Sequence, residues 1–488
     1  MKRTMTGILL LLPLLMGSRY GHAQKRHYNI SDFGAVGDGI TLATHAINQA
    51  IEQCAGHGGG RVVVPPGSFK SGTILMKGNV ELHLEMGSTL LATTDEKDYP
   101  TRFALIYAEG VSNIAITGLG TLDGNGALQK PDPNVSTRDK SGRVSNILFI
   151  SCRQVRVEGV RMLNSGAWMQ HYLNCEDVII DRIEVYNHAN RNNDALNIDG
   201  CRRFVLSNSI IDADDDGIVL KNTTSATTVT EDVTITNCVV SSKSNAIKAG
   251  TESNHGFRNI SISNCVIRPT RHKASATWPT WDTFLHGVTG ISLEIVDGGV
   301  MEGVAISNMV IEGTECPLYI RLANRRTHTP TGKMRNITLS NIVARNTGNF
   351  SNSITGIPGH CVENVTIDNI QLFNQGGLTI GQYKVTPQDV PEDEKGYPSP
   401  HRWGNLPSSL FFIRHVKGLS INNLLFGSNS DDPRTPVVTV DVERLRIGKS
   451  LFSGVSLPSS FAWLEDVREY DIEKPVGWGQ NPVVTTEK

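Results

Sequence analysis

Short runs of alternating apolar and polar residues, rich in Val and Ile, recur along the chain. Anchored at their first apolar residue, they begin at Val80, Ile114, Val155, Val178, Phe204, Val233, Ile260, Val304, Ile337, Val365 and Leu419. VTITNCVV at Val233 and ISISNCVI at Ile260 are representative. Alternation with period two sends successive side chains to opposite faces of a strand. Each copy then bends at an Asn or Gly into a second apolar strand. Neighbouring anchors lie 23 residues apart at the closest (Val155 to Val178) and 54 at the widest (Val365 to Leu419). A short minimum spacing with long excursions marks a coil that repeats and tolerates insertions on one side. The pattern predicts an all-β, single-domain right-handed parallel β-helix in which every coil stacks on the one before.

In such a stack, equivalent positions lie about 4.8 Å apart. Asn stands four residues after the anchor in seven coils, at Asn208, Asn237, Asn264, Asn308, Asn341, Asn369 and Asn423. The register predicts a ladder of side-chain amides at the bend. Cysteines keep the same register. Cys152, Cys175 and Cys201 lie three residues before an anchor, and Cys238 and Cys265 five after. Stacked inside the coil they act as small apolar side chains, so free thiols are expected rather than disulfides. Between Thr44 and Cys54, Ile47, Ala50, Ile51 and Cys54 recur at helical spacing. This predicts an N-terminal capping helix over the first coil, whose edge would otherwise be open. The chain after Leu451 is expected to leave the repeat and cover the last coil.

Composition adds location. The net charge of the 488-residue chain is -2, which gives no sign of a nucleic-acid partner. Lys2 and Arg3 precede an apolar stretch from Gly7 to Met16, and the small residues Gly21 and Ala23 precede a cleavage position before Gln24. Residues 1–23 read as a secretory signal peptide, leaving 24–488 as the β-helix domain. Export to the periplasm or the extracellular space is expected, without membrane insertion, and as a monomer.

The chemistry concentrates in Asp212-Ala-Asp-Asp-Asp-Gly-Ile-Val-Leu-Lys221. Aligned on the strand after the bend, three coils read Asp194-Ala-Leu-Asn-Ile, Asp216-Gly-Ile-Val-Leu and Asn245-Ala-Ile-Lys-Ala. Asp194, Asp216 and Asn245 then form an outward column, with Asp215 beside it and Lys221 and Lys248 near the same surface. Carboxyls one rung apart cannot all ionise at their ordinary pKa. One retains its proton, which supplies an acid and a base at one site. A glycosidic bond needs that pair. A Ca²⁺ site or a solvated acidic edge would use the same residue types.

With these residues in view, the chain resembles glycoside hydrolase family 28, the polygalacturonase and rhamnogalacturonan hydrolase family. The resemblance starts at Ser31-Asp-Phe-Gly-Ala-Val-Gly-Asp-Gly39 and takes in Gly58-Gly-Gly-Arg-Val-Val-Val-Pro-Pro-Gly67 and Thr117-Gly-Leu-Gly-Thr-Leu-Asp-Gly-Asn-Gly126. The family's Asn-Thr-Asp motif is matched by Asn192-Asn193-Asp194. Its Asp-Asp motif is matched by Asp215-Asp216, with Gly217 where Cys is common. The resemblance implies that Asp215 is the general acid and that Asp194 and Asp216 activate the water. It implies inversion at the cleaved carbon, with neither metal nor organic cofactor. Two motifs depart. The family's His-Gly aligns with Asn245-Ala246, and its carboxylate-gripping Arg-Ile-Lys with Ser292-Leu293-Glu294. Rhamnogalacturonan-cleaving members are similar in lacking both.

The expected substrate is therefore a pectic poly- or oligosaccharide with α-linked galacturonate. Rhamnogalacturonan or exo-galacturonidase cleavage fits better than plain endo-polygalacturonase action. Asn245, Lys221, Lys248, Arg321 and Arg325 are the candidate substrate contacts, with Trp278 and Trp281 able to stack on sugar faces. Glu252 is a further candidate acid–base group, whereas His255 reads as a surface residue. Excursions at 268–290 and 381–409 would wall off one end of the cleft and favour exo-action. A Ca²⁺-dependent polysaccharide lyase and a non-catalytic carbohydrate-binding β-helix are the competing readings.

Overall fold

Each anchor sits directly over the next. In the computed structural model Ile114 pairs with Val155, Val155 with Val178, Val178 with Phe204 and Phe204 with Val233, all in parallel register. The series continues through Ile260, Val304, Ile337 and Val365 to Leu419. The structure describes residues 27–100, 102, 104–129, 142–272, 286–326, 329–479 and 483–486. The signal-peptide reading of residues 1–23, and Trp278 and Trp281, fall outside them.

One coil shows the plan. Arg202–Ser207, Ile210–Ala213 and Ile218–Asn222 form three successive strands, each bonded to the equivalent strand of the coils before and after. Further along, the first two strands merge into one, as in Val300–Glu312. Together the described strands make one continuous 35-stranded parallel system. Inward positions stack branched aliphatic side chains: Ile180, Leu206, Ile235 and Ile262 follow one another, all buried. Each such burial contributes roughly 1.5–3 kcal/mol, so the column of like residues holds the stack together.

Asn is needed at the bend because the backbone there is left-handed. Asn208, Asn237, Asn264, Asn308, Asn341, Asn369 and Asn423 have φ between 51° and 56°, a region that Asn tolerates better than branched residues. Their amides also bond between coils. Asn341 donates to Asn308 at 3.0 Å and Asn369 to Asn341 at 2.7 Å. All eight cysteines are free thiols, and seven of them are buried. The capping helix spans Thr44–Gly56 and buries Ala46, Ile47, Ala50, Ile51 and Cys54.

The C-terminal expectation needs correction. The stack does not stop at Leu451. Leu419 pairs with Leu445, and Leu445 with Tyr470 on the strand Ala462–Ile472. Two more coils therefore follow the last recognised anchor. Their outward positions are charged (Glu443, Arg444, Arg446, Glu469, Asp471), and Asn is missing from their bends, so the repeat is hidden although its inward residues persist.

Candidate active site

The third strand of each coil builds the site. Leu196 pairs with Ile218 and Ile218 with Ile247, and backbone bonds run from Ala195 N to Asp216 O and from Gly217 N to Asn245 O. Asp194, Asp216 and Asn245 thus occupy equivalent places on three consecutive coils, as their spacing requires. The turn before Asp194 is fixed by Asn193, whose buried amide donates to Ser165 O at 2.9 Å and Ala167 O at 2.8 Å. Gly217 follows Asp216 because the chain is tight there. A Cβ would lie 2.5 Å from Ala246 O and 2.8 Å from a Val240 methyl.

The two lysines predicted from sequence bind the two buried aspartates. Lys221 Nζ lies 3.6 Å from Asp194 Oδ2 and 3.2 Å from Glu252 Oε2. Lys248 Nζ lies 3.3 Å from Asp216 Oδ2 and 3.9 Å from Glu294 Oε2. Asn245 donates to Asp216 Oδ1 at 2.6 Å, and its own carbonyl accepts from Thr289 Oγ1 at 2.7 Å. Glu252 reaches Lys221 through a bulge: Leu220 pairs with Ala249 but Asn222 with Ser253, so the intervening Lys221 faces three residues. Trp168 lies under Lys221, its ring centroid 4.6 Å from Nζ.

Asp194 and Asp216 are 2 % and 4 % exposed, whereas Asp215 is partly open to the cleft. Asn192 donates to the Asp215 carboxyl at 3.5 Å. Burial, reinforced by the neighbouring Asp216 charge, pushes the Asp215 carboxyl up to about 7 against the pull of Lys248 and Lys221. Burial also raises Asp194 well above the ordinary range; Lys221 opposes the rise, and the neighbouring Asp215 and Asp216 charges add to it. Asp194 and Asp215 are both raised and titrate together, so between them they keep at least one proton near neutrality. Lys221 drives Glu252 down to about 2 despite its burial, and burial raises Glu294 against the pull of Lys248. Both lysines stay charged: burial opposes this, but Glu252 and Asp194 hold Lys221, and Asp216 and Glu294 hold Lys248, above the usual lysine value.

The arginines are placed differently. Arg321, 2 % exposed, donates to Gly356 O, Glu392 O and Asp393 O and stacks on Trp403. Its hydrogen bonds tie down the excursion 381–409, so it holds a loop in place of a sugar. Arg325 makes a two-pronged bond to Asp297, at 2.7 and 2.8 Å, and lies 3.8 Å from Glu252 at the edge of the site. His255 lies apart, against Ala226 O.

Sequence reading expected the excursion 381–409 to wall off one end of the cleft but did not single out Tyr397. Tyr397 brings its hydroxyl to 3.4 Å from Lys248 Nζ and 3.2 Å from Thr251 Oγ1. The loop is seated by Trp403 and Leu406, which pack with Tyr319 and Phe412 on outward positions of the same strand face. Arg414 fastens it with bonds to Val390 O and Pro391 O, both at 2.8 Å. The face is therefore covered on the coils after Lys248. On the coils before Asp194 the described residues leave it open, with a cavity of about 290 Å³ beside Trp168, His171 and Leu173. A run of outward apolar residues in the third strands, Tyr319 and Phe412 included, was the available signal for a covering loop.

A family model described as Glycosyl hydrolases family 28 matches residues 54–389. An exopolygalacturonase of Zea mays is 27% identical over 208 residues, which are 42% of this chain and 51% of that protein. An exo-poly-alpha-D-galacturonosidase of Dickeya chrysanthemi is 36% identical over 124 residues, 21% of this chain and 20% of that protein. The chain thus spans about half the length, or less, of these curated relatives. Among solved structures, the hyperthermoactive exopolygalacturonase of Thermotoga maritima superposes with a TM-score of 0.62 at 25% identity, covering 72% of this chain and 88% of that one.

Proposed function

The chain belongs to glycosyl hydrolase family 28, and from that premise we propose that it is an inverting, exo-acting hydrolase of α-linked galacturonate in pectic chains. The observation that carries the proposal is the Asp194–Asp215–Asp216 cluster, ion-paired to Lys221 and Lys248 at the foot of a loop that closes one end of its face. Asp215, partly open and with its pKa pushed up to about 7, donates its proton to the leaving glycosidic oxygen. Asp194 and Asp216 hold a water, and Asp216 takes its proton as it attacks the anomeric carbon from the opposite side, which inverts the configuration. Lys221 and Lys248 balance the negative charge and attract an acidic sugar. Glu294 stands where the family has a lysine, so the grip on the uronate passes to Lys248 and Tyr397.

The relatives' names favour the exo reading, and so does the seated loop, because a closed end admits only a chain terminus. A Ca²⁺-dependent lyase is less favoured, since Lys221 and Lys248 already stand among these carboxyls, where they oppose a second cation. Export through the signal sequence belongs to the same proposal. The test is incubation with homogalacturonan, rhamnogalacturonan and their oligosaccharides, with and without EDTA, beside Asp215→Asn. Saturated products that ignore EDTA and vanish in the variant are expected. Unsaturated, EDTA-sensitive products would identify a lyase; binding without cleavage would identify a non-catalytic β-helix.

A further inference from the structure

A second depression lies on a different face of the coil, formed by the first strands. Its floor is the strand Ser112–Gly118, where the outward residues are small, Ala115 and Thr117. One rung to the N-terminal side, Glu81 and His83 pair with these positions, and Arg61 stands one rung further. On the C-terminal side Arg156 and Glu158 pair with them, with Arg182 behind. The two walls are two rungs apart, about 10 Å, and enclose about 650 Å³. Farther along, the same positions carry compact hydroxyl residues at Thr234, Thr236, Ser261 and Ser263. The Asn ladder also stops short of the depression: its positions are taken by Gly118 and Gly159.

The walls are held in place by their own bonds. Arg61 donates to Glu81 at 2.8 Å, Thr117 to Glu81 at 2.6 Å, and His83 Nδ1 lies 2.7 Å from Thr117 Oγ1. Glu158 is bound by Arg182 and lies 3.4 Å from Arg156. Planar donors and planar acceptors thus face one another across a trough one sugar chain wide. Guanidinium and carboxylate groups can each bind vicinal hydroxyls in pairs. Because Arg61, Arg156 and Arg182 are already matched by Glu81, Glu158 and Asp181, the trough has little net charge to attract ions.

We propose that this trough is a second, non-catalytic binding site for a stretch of the pectic polysaccharide, held by hydroxyl hydrogen bonds between the Glu81 and Arg156 walls. Its ligand class rests on the proposed activity, whereas its geometry does not. Such a site keeps polymer on the enzyme between cleavages and leaves the chemistry on short substrates untouched.

The test uses the full chain carrying Asp215→Asn, titrated calorimetrically with a short oligogalacturonide. Two sites per chain are expected, falling to one with Ala115→Trp, which fills the floor. Arg156→Ala together with Arg182→Ala should weaken that site at least tenfold if the tryptophan variant fails to fold. Affinity at the trough should change less than about twofold when salt is raised, because attraction between unpaired charges would be screened. With Asp215 intact, Ala115→Trp should keep its rate on short oligosaccharides. A single site that survives both trough variants would overturn the proposal, as would binding that salt abolishes. Failure of the activity reading looks different: wild type would cleave nothing, while a site sensitive to Ala115→Trp would still be present.

Discussion

At the residue scale, the three carboxyls differ in what surrounds them. Asp194 and Asp216 each face a buried lysine, whereas Asp215 opens to the cleft and holds a proton up to about pH 7. Replacing it with Asn removes the acid with almost no change of shape, and kcat should fall about 10²–10⁴-fold. The pH profile should follow the same group. The protonated form is the active one, so kcat/KM should decline about tenfold per unit as pH rises beyond about 7. Stability has a related sign. A carboxyl raised in the folded state binds its proton more tightly than in the unfolded chain, so stability is lost as pH rises from the ordinary carboxyl range through about 7. Asp215→Asn should therefore melt higher than wild type at pH 8 and lose that advantage at pH 4, as differential scanning calorimetry would read. Lys248→Met acts the other way. It leaves Asp216 and Glu294 buried without their cation and should destabilise the fold by about 3–5 kcal/mol.

At the scale of elements, the coil is the unit, and its bend is held by Asn. Asn341→Ala removes one amide from the ladder and puts a Cβ-bearing residue at φ 54° without a polar side chain. A loss of about 1–2 kcal/mol in denaturant unfolding is expected. Most of this level was legible in the sequence. Inward residues must be branched and apolar at each rung, so Val155, Val178 and Phe204 announced their own register. The aspartate column was legible for the same reason, since Asp194 and Asp216 stand two residues before stacked Leu196 and Ile218. Loops carry no such period. Tyr397 reaches Lys248 across 149 positions of sequence, and nothing local marks it. Arg321 looked like a cleft cation because it stands one rung beyond Glu294. Only the folded excursion reveals that loop carbonyls take up its guanidinium.

At the scale of the molecule, the stack is a scaffold on which the aspartate cluster lies beside a seated loop that covers one end of its face. Arg321, Arg414 and Trp403 hold the closure. Loosening it with Arg321→Ala should open the end, and products longer than the terminal unit should appear among those of the variant. The central claim is that the aspartate cluster hydrolyses a galacturonate chain from its terminus. The most direct measurement is a mass-spectrometric time course on an end-labelled oligogalacturonide, run for wild type and Asp215→Asn. The account predicts stepwise loss of one saturated sugar unit from one end by wild type and an unchanged substrate with the variant. Early internal fragments, unsaturated ends or undiminished cleavage by Asp215→Asn would contradict it.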